Sequence, residues 1–286
     1  MSVSTDTPYE DDRTDRSAST ARRFGALFGL GFLGILALVV TSAPELADLA
    51  ESPDVPVSAT VLAIATVVQS SILLAVAVLV GLYTAPKVGF RSHVLERVTT
   101  GEPIGPELRT EVKPAVGLGL VAGLVIVLAE FVLAPSPPTV GETADATAVT
   151  VLSSVPLRFL YGGITEELLL RWGFMSLVAF GLWWAVGRVR GADANLNSAR
   201  STPSSTLLWT AVFVSAIAFG IGHLPAAATL YGELTADVVA WIVLGNAIGG
   251  IAFGWLFWRY SLEAAMIAHA SSHVVFVVLS LVIVMV

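Results

Sequence analysis

Seven apolar segments of this chain are each long enough to cross a lipid bilayer as a helix. About twenty consecutive apolar residues form a helix that spans the roughly 30 Å hydrocarbon core of a membrane. Backbone groups find no water there, so a spanning segment must satisfy its own hydrogen bonds, as a helix does. We therefore predict an all-α fold, a polytopic transmembrane helical bundle. The segments cover residues 24–43, 58–85, 114–134, 148–187, 206–228, 237–258 and 261–286.

The composition agrees with a membrane protein. Only 13% of the 286 residues are charged and 55% are hydrophobic, whereas a soluble domain has about a quarter charged residues. The chain has no cysteine, which excludes both a disulfide framework and a thiol nucleophile. We expect an integral protein of the cell (plasma) membrane, with the lipid bilayer as a partner and no nucleic-acid partner.

The charges of the connecting segments predict the orientation. Arginine and lysine are concentrated in residues 1–23 and 86–113, whereas residues 44–57 carry four acidic residues and no basic one. Basic loops stay on the cytoplasmic side of a membrane, so we expect a cytoplasmic N-terminus. Residues 1–23 are polar and charged, which predicts a disordered cytoplasmic tail. Three transmembrane helices then follow in 24–134, and residues 148–286 form the helical core that carries the candidate site.

The fourth apolar segment, 148–187, is about twice the length that one span needs. Two spans here would place Arg188, Arg190 and Arg200 outside the cell, against the charge rule. We predict a single long helix, tilted or broken, and seven spans in total. Eight spans are the alternative.

Charged side chains interrupt this segment in the stretch YGGITEELLLRWGF, residues 161–174. One ionised side chain at the centre of a bilayer costs about 3 kcal/mol or more. Glu167 and Arg171 are four residues apart on one helix face, so they are predicted to form an ion pair. Glu166 is turned by about 100° from Glu167 and is left without that partner. Arg158 and Glu130 also lie in apolar segments, and the sequence gives neither a firm role.

Three of the four histidines also lie in apolar segments. His223 follows AFGIG near the end of its segment, and His269 and His273 are four residues apart on one helix face. A single intramembrane histidine is often only a hydrogen-bonding residue between helices. Three of them together with the unpaired Glu166 favour a hydrolytic or metal site. The chain has no HExxH, GxSxG or Walker motif.

The order of these motifs resembles the CPBP family, which comprises CAAX prenyl proteases and bacteriocin-processing or immunity proteins. Glu166, Glu167 and Arg171 form an EExxxR motif, His223 ends an FxxxH motif, and His269 lies in a helix that begins with SLEAAMIAH. The resemblance covers roughly residues 150–275. It implies an α-helical intramembrane peptidase.

The resemblance also implies roles for the individual residues. Glu166 would be the general base, His223 its partner in activating water, and His269 the third group of the site. His273 stands where the family usually has Asn or Asp, at a position that binds metal or stabilises the oxyanion. Zinc on His223, His269 and His273 is one expectation, and a metal-free glutamate mechanism is the other. Glu167 and Arg171 would support the site structurally.

Three functions remain open at this stage. The leading hypothesis is an intramembrane endopeptidase, of metallo- or glutamate-type, that acts on a membrane protein or a lipidated peptide. A non-catalytic immunity or scaffold protein is the first alternative. A proton-coupled transporter, with Glu166 and the histidines as a proton relay, is the second.

Overall fold

All regular elements of the described residues are helical. The computed structural model describes residues 8–52, 55–133, 147–189 and 202–285, and no strand occurs within these ranges. The helices are α1 (Pro8–Thr41), α2 (Ala43–Glu51), α3 (Ala59–Thr84), α4 (His93–Thr100), α5 (Gly105–Leu133), α6 (Ala148–Val189), α7 (Ser205–Gly222), α8 (Leu224–Tyr231), α9 (Ala236–Arg259) and α10 (Leu262–Met285). The prediction of an all-α fold is confirmed.

Seven helical segments of the described chain are long and apolar enough to cross a membrane, as the sequence predicts. They are Ser19–Thr41, Ala59–Val88, Gly105–Glu130, Ala148–Val189, Ser205–Tyr231, Ala236–Arg259 and Leu262–Met285. Their outer faces expose large apolar side chains, for example Val40, Ile72 and Ile283. In water these faces would be unfavourable, whereas lipid tails accept them. The protein is an integral membrane protein.

The second part of the tail over 1–23, which the sequence predicts to be disordered, overlaps the start of α1. Residues 1–7 lie outside the described residues, but α1 begins at Pro8 and runs without interruption to Thr41. The physical reason is that the apolar span nucleates the helix, and adding further turns to an existing helix costs little. The polar composition of this stretch therefore does not prevent helix formation.

α6 is one continuous helical element, which confirms the prediction of a single long fourth element. Its middle is wider than an α-helix, because Leu157–Glu166 and Leu168–Met175 form π-type turns with i to i+5 hydrogen bonds. Such turns are rare and frequently occur at functional sites. Arg190 and Arg200, which bear on the alternative of eight spans, lie outside the described residues.

The fifth span is broken at His223, which the sequence analysis placed inside one continuous segment. α7 ends at Gly222 and α8 begins at Leu224. Pro225 explains the break, because it has no N–H to donate and its ring clashes with the preceding turn. His223 therefore lies at a helix junction.

Two glycines on α5 bring this helix close to α10. A methyl group on Gly119 would lie 2.8 Å from Ala268 Cα, and one on Gly123 would lie 2.8 Å from the Ser272 carbonyl oxygen. Small residues four apart allow helix backbones to approach closely in a membrane. α5, from the N-terminal part of the chain, therefore positions the helix that carries His269 and His273.

The glycines of α9 divide into two pairs. Gly250 and Gly254 pack against Ala216 and Val212 of α7, as their small-residue spacing predicts. Gly245 and Gly249 instead line a cavity inside the bundle. α9 is thus held close to α7 while leaving space on its other side.

The N-terminus of α4 is bound to the start of α10 by a buried carboxylate. Glu263 accepts hydrogen bonds from Ser92 Oγ at 2.6 Å and from the backbone N–H groups of His93 and Val94 at 2.9 and 3.0 Å. A carboxylate at a helix N-terminus satisfies otherwise unpaired N–H groups and interacts favourably with the helix dipole. This contact fixes α4 against the helix that carries two of the candidate site residues.

Candidate active site

A cavity of about 440 Å³ lies within the bundle and contains the candidate site. All four residues that the sequence predicts as catalytic line it, namely Glu166, His223, His269 and His273. Glu166 comes from the π-type turns of α6, His223 from the α7–α8 junction, and the other two from α10. The fold thus brings together residues that are up to 107 positions apart in the sequence, from 166 to 273.

Glu167 and Arg171 form the predicted ion pair, and both side chains are fully buried. Arg171 donates to Glu167 Oε1 at 2.8 Å and to the Gly250 carbonyl oxygen at 3.2 Å. The rings of Phe219 and Phe253 flank the guanidinium at 4.8 and 5.4 Å. This pair crosslinks α6 with α9 behind the cavity.

Glu167 has a second partner that the sequence analysis missed. Its Oε1 also accepts a hydrogen bond from His269 Nδ1 at 2.8 Å, across 102 residues of sequence. Because a carboxylate can only accept, the proton of a neutral His269 lies on Nδ1 and its Nε2 carries the lone pair. Glu167 therefore orients His269 as well as pairing with Arg171.

Glu166 faces the cavity instead of this buried network. Its side chain is 18% exposed, compared with 0% for Glu167, and its Oε2 lies 3.9 Å from His269 Nε2. The distance is too long for a direct hydrogen bond, but one water molecule could bond to both atoms. Adjacent carboxylates in the sequence thus have different environments.

His223 is oriented by the end of its own helix. Its Nδ1 lies 2.8 Å from the Phe219 carbonyl oxygen. A carbonyl only accepts, so Nδ1 carries the proton and Nε2 of neutral His223 is an acceptor. This bond also satisfies one of the carbonyl groups that the end of α7 leaves unpaired.

His273 has two buried ring nitrogens without a hydrogen-bond partner. Its ring stacks on that of His269, with centroids 4.9 Å apart and planes inclined by 23°. The ring of His269 also stacks on that of Phe253, with centroids 4.6 Å apart. Buried polar groups without a partner are costly, so the free nitrogens of His273 are available for a ligand in the cavity.

The arrangement of the histidines does not fit a common metal ion. Imidazole binds a metal through a lone pair in the plane of the ring, and the nearly parallel planes of His269 and His273 direct these lone pairs side by side. Among the described residues, no three of Glu166, His223, His269 and His273 bring ligand atoms within 4.8 Å of one another. Zinc on the three histidines would require them to move.

One compact group of potential ligands does occur in the described residues, outside the cavity. His93, Glu96 and Glu107 have ligand atoms within 4.8 Å of one another. His93 Nδ1 lies 3.1 Å from oxygens of both glutamates, and its Nε2 lies 3.1 Å from Glu111. Burial lowers the pKa of His93, but the contacts with Glu96 and Glu111 and the charge of Glu263 outweigh it, so the pKa is raised. A protonated imidazole has no lone pair for a metal, and we interpret the group as an ion-pair cluster.

The cavity also contains polar residues to which the sequence analysis gave no role in the site. Asn246 of α9 lines it and donates through Nδ2 to the Ile242 carbonyl oxygen at 2.8 Å. Arg158 and Tyr161 of α6 line it as well. The sequence signal for Asn246 is a carboxamide within the apolar, glycine-rich stretch GNAIGG.

Residues 148–275 match the family model described as Type II CAAX prenyl endopeptidase Rce1-like. The match covers a little under half of the chain and confirms the resemblance that the motifs indicated. It supports an intramembrane peptidase activity of this general kind. Comparisons with curated proteins and with solved structures find no match.

Proposed function

We propose that the protein is an intramembrane endopeptidase that hydrolyses a peptide bond of a membrane-associated protein or peptide, with Glu166 as general base. The observation that supports this function is the cavity that Glu166 shares with His223, His269 and His273. Peptide hydrolysis needs a base for the attacking water and a donor for the developing oxyanion. The family match to CAAX prenyl endopeptidases favours a lipid-anchored substrate.

In the proposed reaction, Glu166 removes a proton from a water molecule that attacks the scissile carbonyl carbon. Nε2 of His223 accepts a hydrogen bond from the second O–H of this water, which keeps that hydrogen, since Nδ1 of His223 donates its own proton to the Phe219 carbonyl oxygen. The carbonyl oxygen becomes an oxyanion as the C–O bond forms. When the C–N bond breaks, the proton on Glu166 passes to the leaving amine, which balances the reaction.

The two histidines of α10 have different proposed roles. His269 accepts a hydrogen bond at Nε2, and the carboxylate of Glu167, which accepts a hydrogen bond from Nδ1, holds the ring in this orientation. His273 has no fixed tautomer because neither nitrogen has a protein partner. It can therefore present an N–H to the oxyanion, which is the role of the family's usual Asn.

We propose that this chemistry proceeds without a metal ion on the histidines. The stacked rings of His269 and His273 and the wide spacing of the potential ligands support this version. The test is an activity assay of the purified protein with and without a chelator, combined with metal analysis. Unchanged cleavage by metal-free protein is expected. Loss of activity on metal removal, restored by zinc, would favour the metallopeptidase.

The test of the function is cleavage of lipid-anchored peptides by protein reconstituted into lipid vesicles. We expect Glu166→Gln to reduce cleavage by about 10²- to 10⁴-fold, the usual contribution of a general base, while the protein still inserts. Glu130→Gln is the matched control, because Glu130 is also in an apolar helix but does not line the cavity. A scaffold would keep its function in Glu166→Gln, and a transporter would instead lose uptake coupled to a pH gradient.

A further inference from the structure

Tyr161 of α6 contributes a hydroxyl group to the cavity wall that the proposed reaction does not use. The side chain is half-buried, and its hydroxyl has no hydrogen-bond partner among the described residues. The O–H of a buried tyrosine usually finds a partner, and the hydrocarbon of a bilayer offers none. The phenol is thus a hydrogen-bond donor that remains free for a ligand in the cavity.

The other two hydroxyl groups among the described cavity residues are already bonded within their own helices. Ser154 Oγ donates to the Val151 carbonyl oxygen at 2.7 Å, and Ser272 Oγ donates to the His269 carbonyl oxygen at 2.7 Å. Such bonds to the preceding turn are common for serine inside a helix. Tyr161 therefore supplies the one hydroxyl of the described cavity wall that is not bonded to its own helix.

The π-type turns of α6 bring Tyr161 to the side of the helix that carries Glu166. In an α-helix, residues five apart are turned by about 140° from each other, so Tyr161 and Glu166 would face different ways. The turns of Leu157–Glu166 hold one residue more and close their hydrogen bonds at i+5. Residues five apart then lie on a common side, and both side chains line the cavity. The wide turns thus place the hydroxyl and the proposed general base on one wall.

Gly162 allows His273, the proposed oxyanion donor, to lie beside Tyr161. A methyl group on Gly162 would be 2.6 Å from His273 Nε2, so the imidazole packs directly against the backbone that follows Tyr161. Oxyanion holes commonly combine two donors that converge on one oxygen. The imidazole of His273 has no protein partner, and neither has the phenol of Tyr161 among the described residues. Two free donors therefore lie next to each other in the cavity.

We propose that the hydroxyl group of Tyr161 donates a hydrogen bond to the oxyanion, so that Tyr161 and His273 together stabilise the tetrahedral intermediate. This inference rests on the peptidase function proposed above and adds a catalytic residue to it. As water attacks the carbonyl carbon, the carbonyl oxygen gains negative charge and accepts both hydrogen bonds. The phenol keeps its proton throughout. Glu166 remains the group that carries a proton from the water to the leaving amine.

The experiment replaces Tyr161 with phenylalanine, which removes one oxygen atom and keeps the ring. A pool of palmitoylated peptides of randomised sequence is offered to wild-type protein in phosphatidylcholine vesicles, and the peptide cleaved fastest is used for all variants. We expect Tyr161→Phe to lower kcat about 10²- to 10³-fold, the usual effect of losing one oxyanion donor. Binding of the intact peptide should not change, because the interaction is made only in the transition state.

A phosphinate analogue of the same peptide gives a second measurement. Its tetrahedral phosphorus and charged oxygen replace the scissile amide, so it resembles the intermediate and not the substrate. Transition-state analogues bind about 10²-fold or more tightly than substrates, and we expect this difference for wild-type protein. Tyr161→Phe should lose most of the difference, since the charged oxygen would lack one of its two donors.

Two further variants make the comparison specific. Tyr83→Phe removes the same oxygen from an exposed tyrosine of α3 outside the cavity, and it should behave like the wild type. Tyr161→His keeps a ring with an N–H donor, so it should retain more kcat than Tyr161→Phe. If the phenylalanine variant does not fold, Tyr161→Leu takes its place as the variant without a donor.

The outcomes separate this inference from the proposed function. A wild-type protein that cleaves the peptide and a Tyr161→Phe variant with the same kcat would keep the peptidase and overturn the role of Tyr161. A variant that loses binding of the intact peptide as much as it loses cleavage would also overturn it, because Tyr161 would then only hold the substrate. Absence of cleavage by the wild type would overturn the peptidase function, and the oxyanion role with it.

Discussion

Glu166 and Glu167 are neighbours in the chain, but the structure places them in different surroundings. Glu167 is enclosed by Arg171 and His269, and Glu166 faces the cavity. Removing one partner of a buried ion pair leaves the other charge without compensation. Stability and catalysis are thus expected to depend on different carboxylates.

We expect Glu167→Ala to destabilise the protein by about 3 to 5 kcal/mol, because Arg171 would become an unpaired buried charge. Turnover should fall too, since His269 would lose the bond that orients it. The measurement is unfolding in detergent together with vesicle activity. Glu166→Ala is the control and should keep its stability while losing turnover. The opposite pattern would show that the two roles are reversed.

At the level of helices, the contact between α5 and α10 determines where the histidines lie. Gly119 and Gly123 allow the two backbones to approach. Ala268 and Ser272 of α10 occupy the space that a side chain at position 119 or 123 would need. His269 lies next to Ala268 in sequence. A shift of α10 at this contact would therefore move the ring away from Glu167.

We expect Gly119→Ala to cost about 1 to 3 kcal/mol through overpacking and to reduce peptide cleavage. Gly117→Ala is the matched control, since a methyl group on Gly117 meets nothing within 4 Å. The measurement is thermal unfolding and cleavage of both variants. Equal behaviour of the two would contradict the role of close packing between α5 and α10.

The cluster around His93 should make the docking of α4 depend on pH. The charged groups that face His93 are Glu96 of its own helix, Glu107 and Glu111 of α5, and Glu263 of α10. Because the pKa of His93 is raised on folding, its contribution to stability is complete below its ordinary pKa of 6.5. That contribution is lost as the pH rises through the raised value.

We therefore expect the difference in Tm between wild type and His93→Gln to be larger near about pH 6 than near about pH 9. Thermal unfolding across this range measures it. A difference that is independent of pH would mean that His93 is neutral in the folded protein.

The sequence predicts helices better than it predicts the contacts between them. The seven spans follow from apolar length, and the Glu167–Arg171 pair follows from helical spacing, because both are local properties. The bond between Glu167 and His269 joins residues 102 positions apart. No local pattern predicts it, since it depends on how α6 and α10 pack. The same holds for Asn246 and its place in the cavity.

For the whole molecule, the N-terminal and C-terminal parts form one bundle. The family match begins at residue 148, yet Leu38 of α1 and Ile126 of α5 belong to the cavity wall. Residues 24–134 and 148–286 are thus two parts of the sequence, but residues of both parts line the one cavity. The earlier helices have a direct structural role in the site.

An odd number of spans places the two chain ends on opposite sides of the membrane, and the basic loops predict a cytoplasmic N-terminus. The chain has no cysteine, so single cysteines can be labelled with a membrane-impermeant maleimide. Ala21→Cys and Thr100→Cys should react only from the cytoplasmic side. Leu49→Cys and Met285→Cys should react from the outside, and the unchanged protein should not react. Labelling of Ala21 and Met285 from the same side would contradict seven spans.

The π-type turns of α6 have a consequence for how this sequence can change. A wide turn holds one residue more than an α-turn, and one residue corresponds to about 100° of helical rotation. Deleting a single residue between 157 and 175 would let the helix tighten and would rotate one end of it against the other. After such a rotation, the helix could not keep Glu166 at the cavity and Glu167 at His269 at the same time. A substitution in this stretch changes the contacts of one residue, whereas a change of its length would move both carboxylates relative to their partners.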